Sequence, residues 1–128
     1  MNKDTLAERL EAIEAGYEFC LAYAAQGRID DAGSPVRETL KRMYTALDGL
    51  APLLEGAVLR EGASHAAGTR VFLDAVKRDV AVAQGAIGMV LDCGAVGSLL
   101  VDNLNASIHL RALLTDLFLV DQARKKTG

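Results

Sequence analysis

The sequence is poor in the residues that build disulfide frameworks, metal centres and β-sheets. Among its 128 residues are two cysteines, two histidines and no tryptophan, and aromatic residues amount to only 5%. Cys20 and Cys93 are too few for a disulfide framework and lack zinc-binding spacing, so we expect reduced thiols in a cytoplasmic protein. No segment alternates apolar and polar residues with period two, which predicts a chain without β-strands.

A large excess of charge of either sign is also missing. The formal net charge is −3 and 51% of the residues are hydrophobic. Disorder is therefore excluded, and so is a nucleic-acid partner, which requires a concentrated basic face. Residues 1–4 lead into an acidic periodic segment, so we expect no secretory signal. Residues 80–101 have the length of a membrane span, but Asp92 and four glycines favour a buried helix, a turn and a second helix.

Two segments in the first half of the chain have helical spacing. Thr5 and Glu8 form a capping box at the start of the first, about residues 5–26, and Ser34-Pro35 is a start signal for the second. Apolar residues in both recur at alternating intervals of four and three, which places them on one face of each helix. The predicted stripes are Leu6, Leu10, Ile13, Tyr17, Cys20 and Ala24, followed by Val36, Leu40, Met43, Leu47, Leu50 and Leu54.

The second half predicts two further helices, at about residues 69–93 and 98–126. Small residues near the middle of the third helix, including Gly85 and Gly88, predict a close helix contact, because each glycine costs roughly 1 kcal/mol of helix propensity that packing must offset. Ser98 is the predicted N-cap of the fourth helix, whose apolar residues spread over more than one side. The predicted stripe of the third helix is Leu73, Val76, Val80, Ala83, Ile87 and Val90.

Four helices joined by shorter connections predict a single all-α domain over residues 1–128. The economical architecture is an up-down-up-down antiparallel four-helix bundle. Its second helix is expected to be kinked or interrupted near Pro52, because a proline inside a helix removes a hydrogen bond and clashes with the preceding turn.

Catalytic constellations are incomplete in this sequence. A di-iron bundle needs Glu-x-x-His pairs on facing helices, yet no glutamate follows Glu61. Four glutamates between residues 8 and 18 line one side of the first helix, but the second helix has no matching acidic pair for a magnesium-dependent hydrolase. We therefore expect no cofactor, no metal and no catalytic residue, and we favour a protein that is not an enzyme.

Two functional hypotheses follow. The surplus of apolar residues in the fourth helix favours a non-catalytic module, an adaptor, chaperone or regulator, that forms a homodimer and binds a protein partner but no membrane. Its predicted interface consists of Leu110, Leu113, Leu117 and Val120. The alternative is a ligand- or metal-binding bundle, and even a small enzyme, with a pocket between the third and fourth helices. Its predicted polar contacts are Tyr17, Asp102 and His109.

Overall fold

The chain is helical, as the sequence predicts. A computed structural model describes residues 2–60, 67–108 and 110–127, and this part of the chain contains helices and turns but no strand. None of its helices combines the length and apolarity needed to cross a membrane. The helices are α1 (Asn2–Ala24), α2 (Val36–Leu47), α3 (Leu50–Arg60), α4 (Ala67–Leu91), α5 (Ser98–Ile108) and α6 (Leu110–Thr127).

The apolar stripes predicted for the second and third segments form much of the hydrophobic core. All six residues of each stripe are buried. On α1 the outcome differs, because Tyr17 and Ala24 are only half-buried whereas Tyr23, which lies off the predicted stripe, is completely buried. One hydrophobic cluster joins buried residues from all of these helices.

The second predicted segment is divided into two helices, and the division lies before Pro52. Helix α2 ends at Leu47 and α3 begins at Leu50. Gly49, between them, has a φ of +73°, a left-handed conformation that side-chain-bearing residues rarely adopt. Pro52 is the third residue of α3, where its missing N–H has no partner to lose. The break therefore follows the glycine and not the proline.

The predicted helix starts are each shifted. Helix α1 begins at Asn2, so the Thr5 capping box lies inside the helix and not at its start. Helix α2 begins one residue after Pro35, with the Val36 N–H donating to Ser34 Oγ at 3.2 Å. Ser98 is the first residue of α5 rather than its cap, because the Val101 N–H donates to the Gly97 carbonyl.

The helices pack as neighbours around the core. Helix α1 lies against α2 and α5, and α4 lies against the same two helices from the other side. Helix α3 contacts α1 and α4, and so does α6. Neighbours in this arrangement are helices whose predicted apolar stripes face one another, which is why those stripes are buried.

Gly16 of α1 lies directly against Met43 of α2. A Cβ atom at this position would lie 2.3 Å from Cγ and 2.4 Å from Sδ of Met43, which is itself buried. Met43 therefore occupies the space that any other residue at position 16 would need. The small residues of α4 are used differently: Gly88 receives the ring of Tyr44, whereas nothing lies within 4 Å of a Cβ built at Gly85.

We predict that Gly16→Ala destabilises the protein by about 1–3 kcal/mol, the usual cost of overpacking a tight core. Urea unfolding measures the change. Gly68→Ala is the matched control, since Gly68 is also helical but has nothing within 4 Å of its Cβ position. In the double variant Gly16→Ala/Met43→Ala the cost should be smaller than the sum of the single costs. Additive costs would show that Met43 is not what excludes a side chain at position 16.

Candidate functional site

Of the three predicted ligand contacts, the structure describes Tyr17 and Asp102, which lie on different helices and are not hydrogen-bonded to each other. Tyr17 is half-buried on α1, and the Arg111 guanidinium carbon of α6 lies 6.0 Å from its ring centroid, within the range of a cation–π contact. Asp102 is exposed on α5. His109 lies outside the described residues. Among the described side chains, the predicted polar contacts therefore do not form a pocket between the third and fourth predicted helices.

The predicted interface residues are also placed differently from the expectation. Leu113 and Leu117 of α6 are buried in the core, at 1% and 0% exposure. This burial removes both from the predicted interface, because a side chain enclosed within its own chain has no surface to offer a partner. The side chains of Leu110 and Val120 lie outside the described part of the chain. Among the described side chains of α6, the large apolar ones that are exposed are Phe118 and Leu119.

A polar cluster missed by the sequence analysis joins the α1–α2 loop, residues 25–35, to the α4–α5 loop, residues 92–97. We call it the loop junction, and its side chains are Tyr23, Asp31, Arg37 and Ser98. The Tyr23 hydroxyl donates to the Val96 carbonyl at 2.6 Å and lies 3.1 Å from the carbonyl of Asp30. It therefore links both loops from inside the core.

Ser98 makes a second connection in the loop junction. Its hydroxyl donates to the Tyr23 carbonyl at 2.7 Å and accepts from the Arg28 N–H at 2.9 Å. Its own N–H donates to the Arg28 carbonyl at 2.8 Å. The neighbouring Gly97 permits this approach, since a Cβ there would lie 2.9 Å from that same carbonyl oxygen. The end of α1 and the start of α5 are thus held together through backbone groups.

Asp31 and Arg37 complete the loop junction at its outer side. Asp31 Oδ1 accepts a bond from the Val96 N–H at 2.9 Å, and its Oδ2 lies 3.1 Å from Arg37 Nε. Arg37 also donates to the carbonyls of Leu91 and Cys93 at the end of α4. The Val96 N–H above all, and then Arg37, lower the pKa of Asp31 from its ordinary value of 3.8.

The loop junction contains residue types that also occur in catalytic sites, but it does not have the geometry of one. Its hydroxyls bind backbone groups, and its carboxylate and guanidinium bind each other and backbone groups at the ends of the helices. Within the described part of the chain, no buried side-chain nitrogen or oxygen lacks a hydrogen-bond partner. The bonds of the loop junction are therefore those of a structural connection between the two loops.

A concave surface of about 430 Å³ lies between α1 and α2. Its charged side chains include Glu8, Arg9, Glu38 and Lys41. Arg9 donates to carbonyls at the carboxyl end of α2, among them Ala46 at 3.2 Å and Asp48, and Lys41 Nζ lies 3.7 Å from Glu38 Oε2. These contacts are internal and of both signs, so the surface does not favour a ligand of either charge.

The other titratable groups with shifted pKa values do not form a site. Burial raises the pKa of the Cys20 thiol to about 11, which makes it an inert core residue as its position on the α1 stripe predicts. Desolvation, and then the nearby carboxylate of Asp79, raise the pKa of Asp116 on α6. The described residues include no group of three or more side chains able to hold a metal ion.

A group of exposed apolar side chains lies on α4. Val71, Val82 and Met89 are 70%, 59% and 68% exposed, although all three are large apolar residues. They share one side of the helix, because 11 and 7 residues are close to whole numbers of helical turns. We call the α4 outer face the exposed residues that follow one another there at intervals of four and three. These are Arg78, Val82, Gly85 and Met89 of α4 and Asp92, the residue directly after the helix, whose N–H donates to the Gly88 carbonyl at 3.1 Å and so continues the last turn.

The α4 outer face borders a shallow hollow of about 470 Å³. Tyr44 of α2 forms one side of it, and Gly85, Gly88 and Met89 form the floor and the other side. This hollow exists because Gly88 has no side chain and the Tyr44 ring lies beside it. In the sequence, the residues of the α4 outer face recur at intervals of four and three along the third predicted helix, beside its buried stripe.

Comparisons with known proteins identify no relative. A scan against protein-family models, a search of curated proteins and a search of solved structures each found no match. Function must therefore be argued from the geometry of this chain.

We predict that Ser98→Ala destabilises the protein by about 1–3 kcal/mol, because it leaves the Arg28 N–H of the loop junction without its acceptor. It also removes one of the two donors to the Tyr23 carbonyl, which keeps the Gln26 N–H. Urea unfolding measures the loss. Thr115→Ala is the matched control: Thr115 also donates to a backbone carbonyl, but at an exposed position on α6. Its cost should stay within about 0.5 kcal/mol. Equal costs for the two variants would contradict the structural role of the loop junction.

The lowered pKa of Asp31 predicts the pH dependence of this connection. A carboxyl group whose pKa is lower in the folded than in the unfolded chain contributes stability well above pH 3.8, and this contribution is lost as the pH falls through the folded pKa. The stability difference between the wild type and Asp31→Asn should therefore be constant near neutral pH and shrink in acid. Urea unfolding from pH 7 to pH 3 measures it. A difference that grows in acid would be inconsistent with a lowered pKa.

Proposed function

We propose that this protein is a non-catalytic cytoplasmic helical-bundle protein that acts through self-association, as an adaptor, chaperone or regulator of a protein partner. The observation that carries the proposal is the α4 outer face, where large apolar side chains are exposed on one side of a helix. Exposed apolar residues that are scattered singly need no explanation, whereas several on one face are typical of an interaction surface.

The arrangement of the helices supports the bundle part of this proposal. Helices α1, α2, α4 and α5 each contact two of the others in the order α1–α2–α4–α5–α1. We propose that they form an up-down-up-down four-helix bundle, to which α3 and α6 add further turns. In such a bundle every helix buries one stripe, and an additional apolar face on one helix is left for a partner.

The polar groups of the chain favour association over catalysis. In the loop junction they bind backbone groups and pair Asp31 with Arg37. On the concave surface between α1 and α2, Arg9 binds the end of α2 and Lys41 contacts Glu38. The alternative raised by the sequence is a ligand- or metal-binding bundle with a pocket between the third and fourth predicted helices. This alternative predicts that adding a metabolite or a metal ion raises the melting temperature. Self-association alone predicts no such rise.

We predict that the protein is a dimer at micromolar concentration and that Val82→Glu makes it monomeric without loss of helicity, because a buried, unpaired carboxylate opposes association. Analytical ultracentrifugation measures the assembly state, and circular dichroism measures helicity. Leu21→Glu is the matched control, since Leu21 is also an exposed apolar residue but lies on α1. It should remain dimeric.

Leu119→Glu examines an exposed apolar position on another helix, α6. If association depends on the α4 outer face, this variant also remains a dimer. Dissociation by Leu119→Glu with retention by Val82→Glu would assign the interface to α6. A wild-type protein that is monomeric at all micromolar concentrations would refute self-association altogether.

A further inference from the structure

We propose that a second copy of this chain binds the α4 outer face, with the two α4 helices antiparallel and crossing at Gly85. This inference rests on the proposed self-association and specifies its geometry. It is drawn from the order of size and charge along the face.

The five residues of the α4 outer face lie within about 80° of one another around the helix, given 100° per residue. Gly85 is at the centre of the series, exposed, and nothing lies within 4 Å of its Cβ position. A neighbouring helix can therefore approach the α4 backbone closely at this point. Arg78 and Asp92 lie seven residues to either side, about 10 Å along the axis.

The charges at the two ends determine the direction of the partner. Arg78 is positive, Asp92 is negative, and both are exposed. When two such helices cross antiparallel at Gly85, Arg78 of each copy meets Asp92 of the other. A parallel pair in register would place like charges together at both ends, and like charges across an interface oppose association. The face is therefore complementary to itself in the antiparallel direction.

Side-chain size along the two flanks agrees with this direction. A two-fold axis through the crossing point keeps each residue on its own flank while inverting its position along the helix. Val82 and Met89 are on one flank, so Val82 of each copy meets Met89 of the other. Ala81 and Gly88 are on the opposite flank, where Ala81 of the second copy enters the hollow beside Gly88. Large residues thus meet large ones on one flank, and small residues meet small ones on the other.

Tyr44 limits the small flank. Its ring is in contact with Gly88 and is partly exposed at the edge of the hollow. A large side chain entering from the second copy would collide with this ring, whereas the Ala81 methyl group fits. Helix α2 thereby contributes to the recognition of the second copy.

Disulfide trapping tests the crossing point. In a Cys93→Ser background, Gly85→Cys places two thiols on the two-fold axis, and their Cα atoms should come within the 4.4–6.8 Å that a disulfide spans. Mild oxidation should then convert most of the protein to a covalent dimer on non-reducing gels. Ala15→Cys is the control, because Ala15 is exposed on α1 and should not cross-link efficiently.

Charge reversal tests the direction. Arg78→Glu and Asp92→Arg should each raise the dimer dissociation constant by about tenfold, because each places two like-charge pairs in the interface. Mixing the two variants should restore association to within about threefold of the wild type, since the mixed pair recovers both opposite-charge contacts. This rescue in trans distinguishes a contact between copies from one within a chain.

The outcomes separate this inference from the proposed function. Cross-linking at position 85 together with rescue on mixing supports the antiparallel pair. A wild-type dimer that neither cross-links at position 85 nor shows rescue overturns the pair while leaving self-association standing. A monomeric wild type overturns both.

Discussion

The hydrogen bonds of Ser98 are the constraint on which the arrangement of the helices depends. This hydroxyl binds the carbonyl of Tyr23 and the N–H of Arg28, and it thereby joins the last turn of α1 to the first turn of α5. A buried polar group that loses its partner costs more than the bond itself contributes, so one relative placement of the two loops is strongly preferred. Tyr23 and Asp31 add further bonds in the same register.

Long-range constraints of this kind separate the features of the fold that can be predicted from the sequence from those that cannot. The stripes of α2–α3 and α4 are predictable because helical periodicity is a local property, and all twelve of their residues are buried. The division between α2 and α3 at Asp48 and Gly49 is less predictable. Pro52 is the stronger helix breaker in general, but in the first turn of a helix its missing N–H costs nothing, and only the structure shows that α3 begins just before it.

The loop junction is beyond the reach of sequence patterns for a different reason. Its side chains bind backbone carbonyls and N–H groups of a loop some 70 residues away, and backbone groups carry no sequence signature. Tyr17 fits the apolar stripe of α1, so the sequence predicts it to be the tyrosine of the core. Tyr23 fulfils that role because α1 ends where the second loop passes, and only the folded chain brings the Val96 carbonyl to its hydroxyl. Ser98 is likewise predicted to be a helix cap from the local sequence pattern alone.

The surplus of apolar residues is real, but it is distributed differently from the prediction. Leu113 and Leu117 are used in the core, whereas Val82 and Met89 on α4 are left outside. Since the inner stripe of the same helix packs against α2 and α5, a partner bound to the outer face would contact an element that is central to the fold. Binding to the folded state alone raises its stability by mass action. Association through α4 would therefore also stabilise each chain, and this added stability would decrease as the protein is diluted and the copies dissociate.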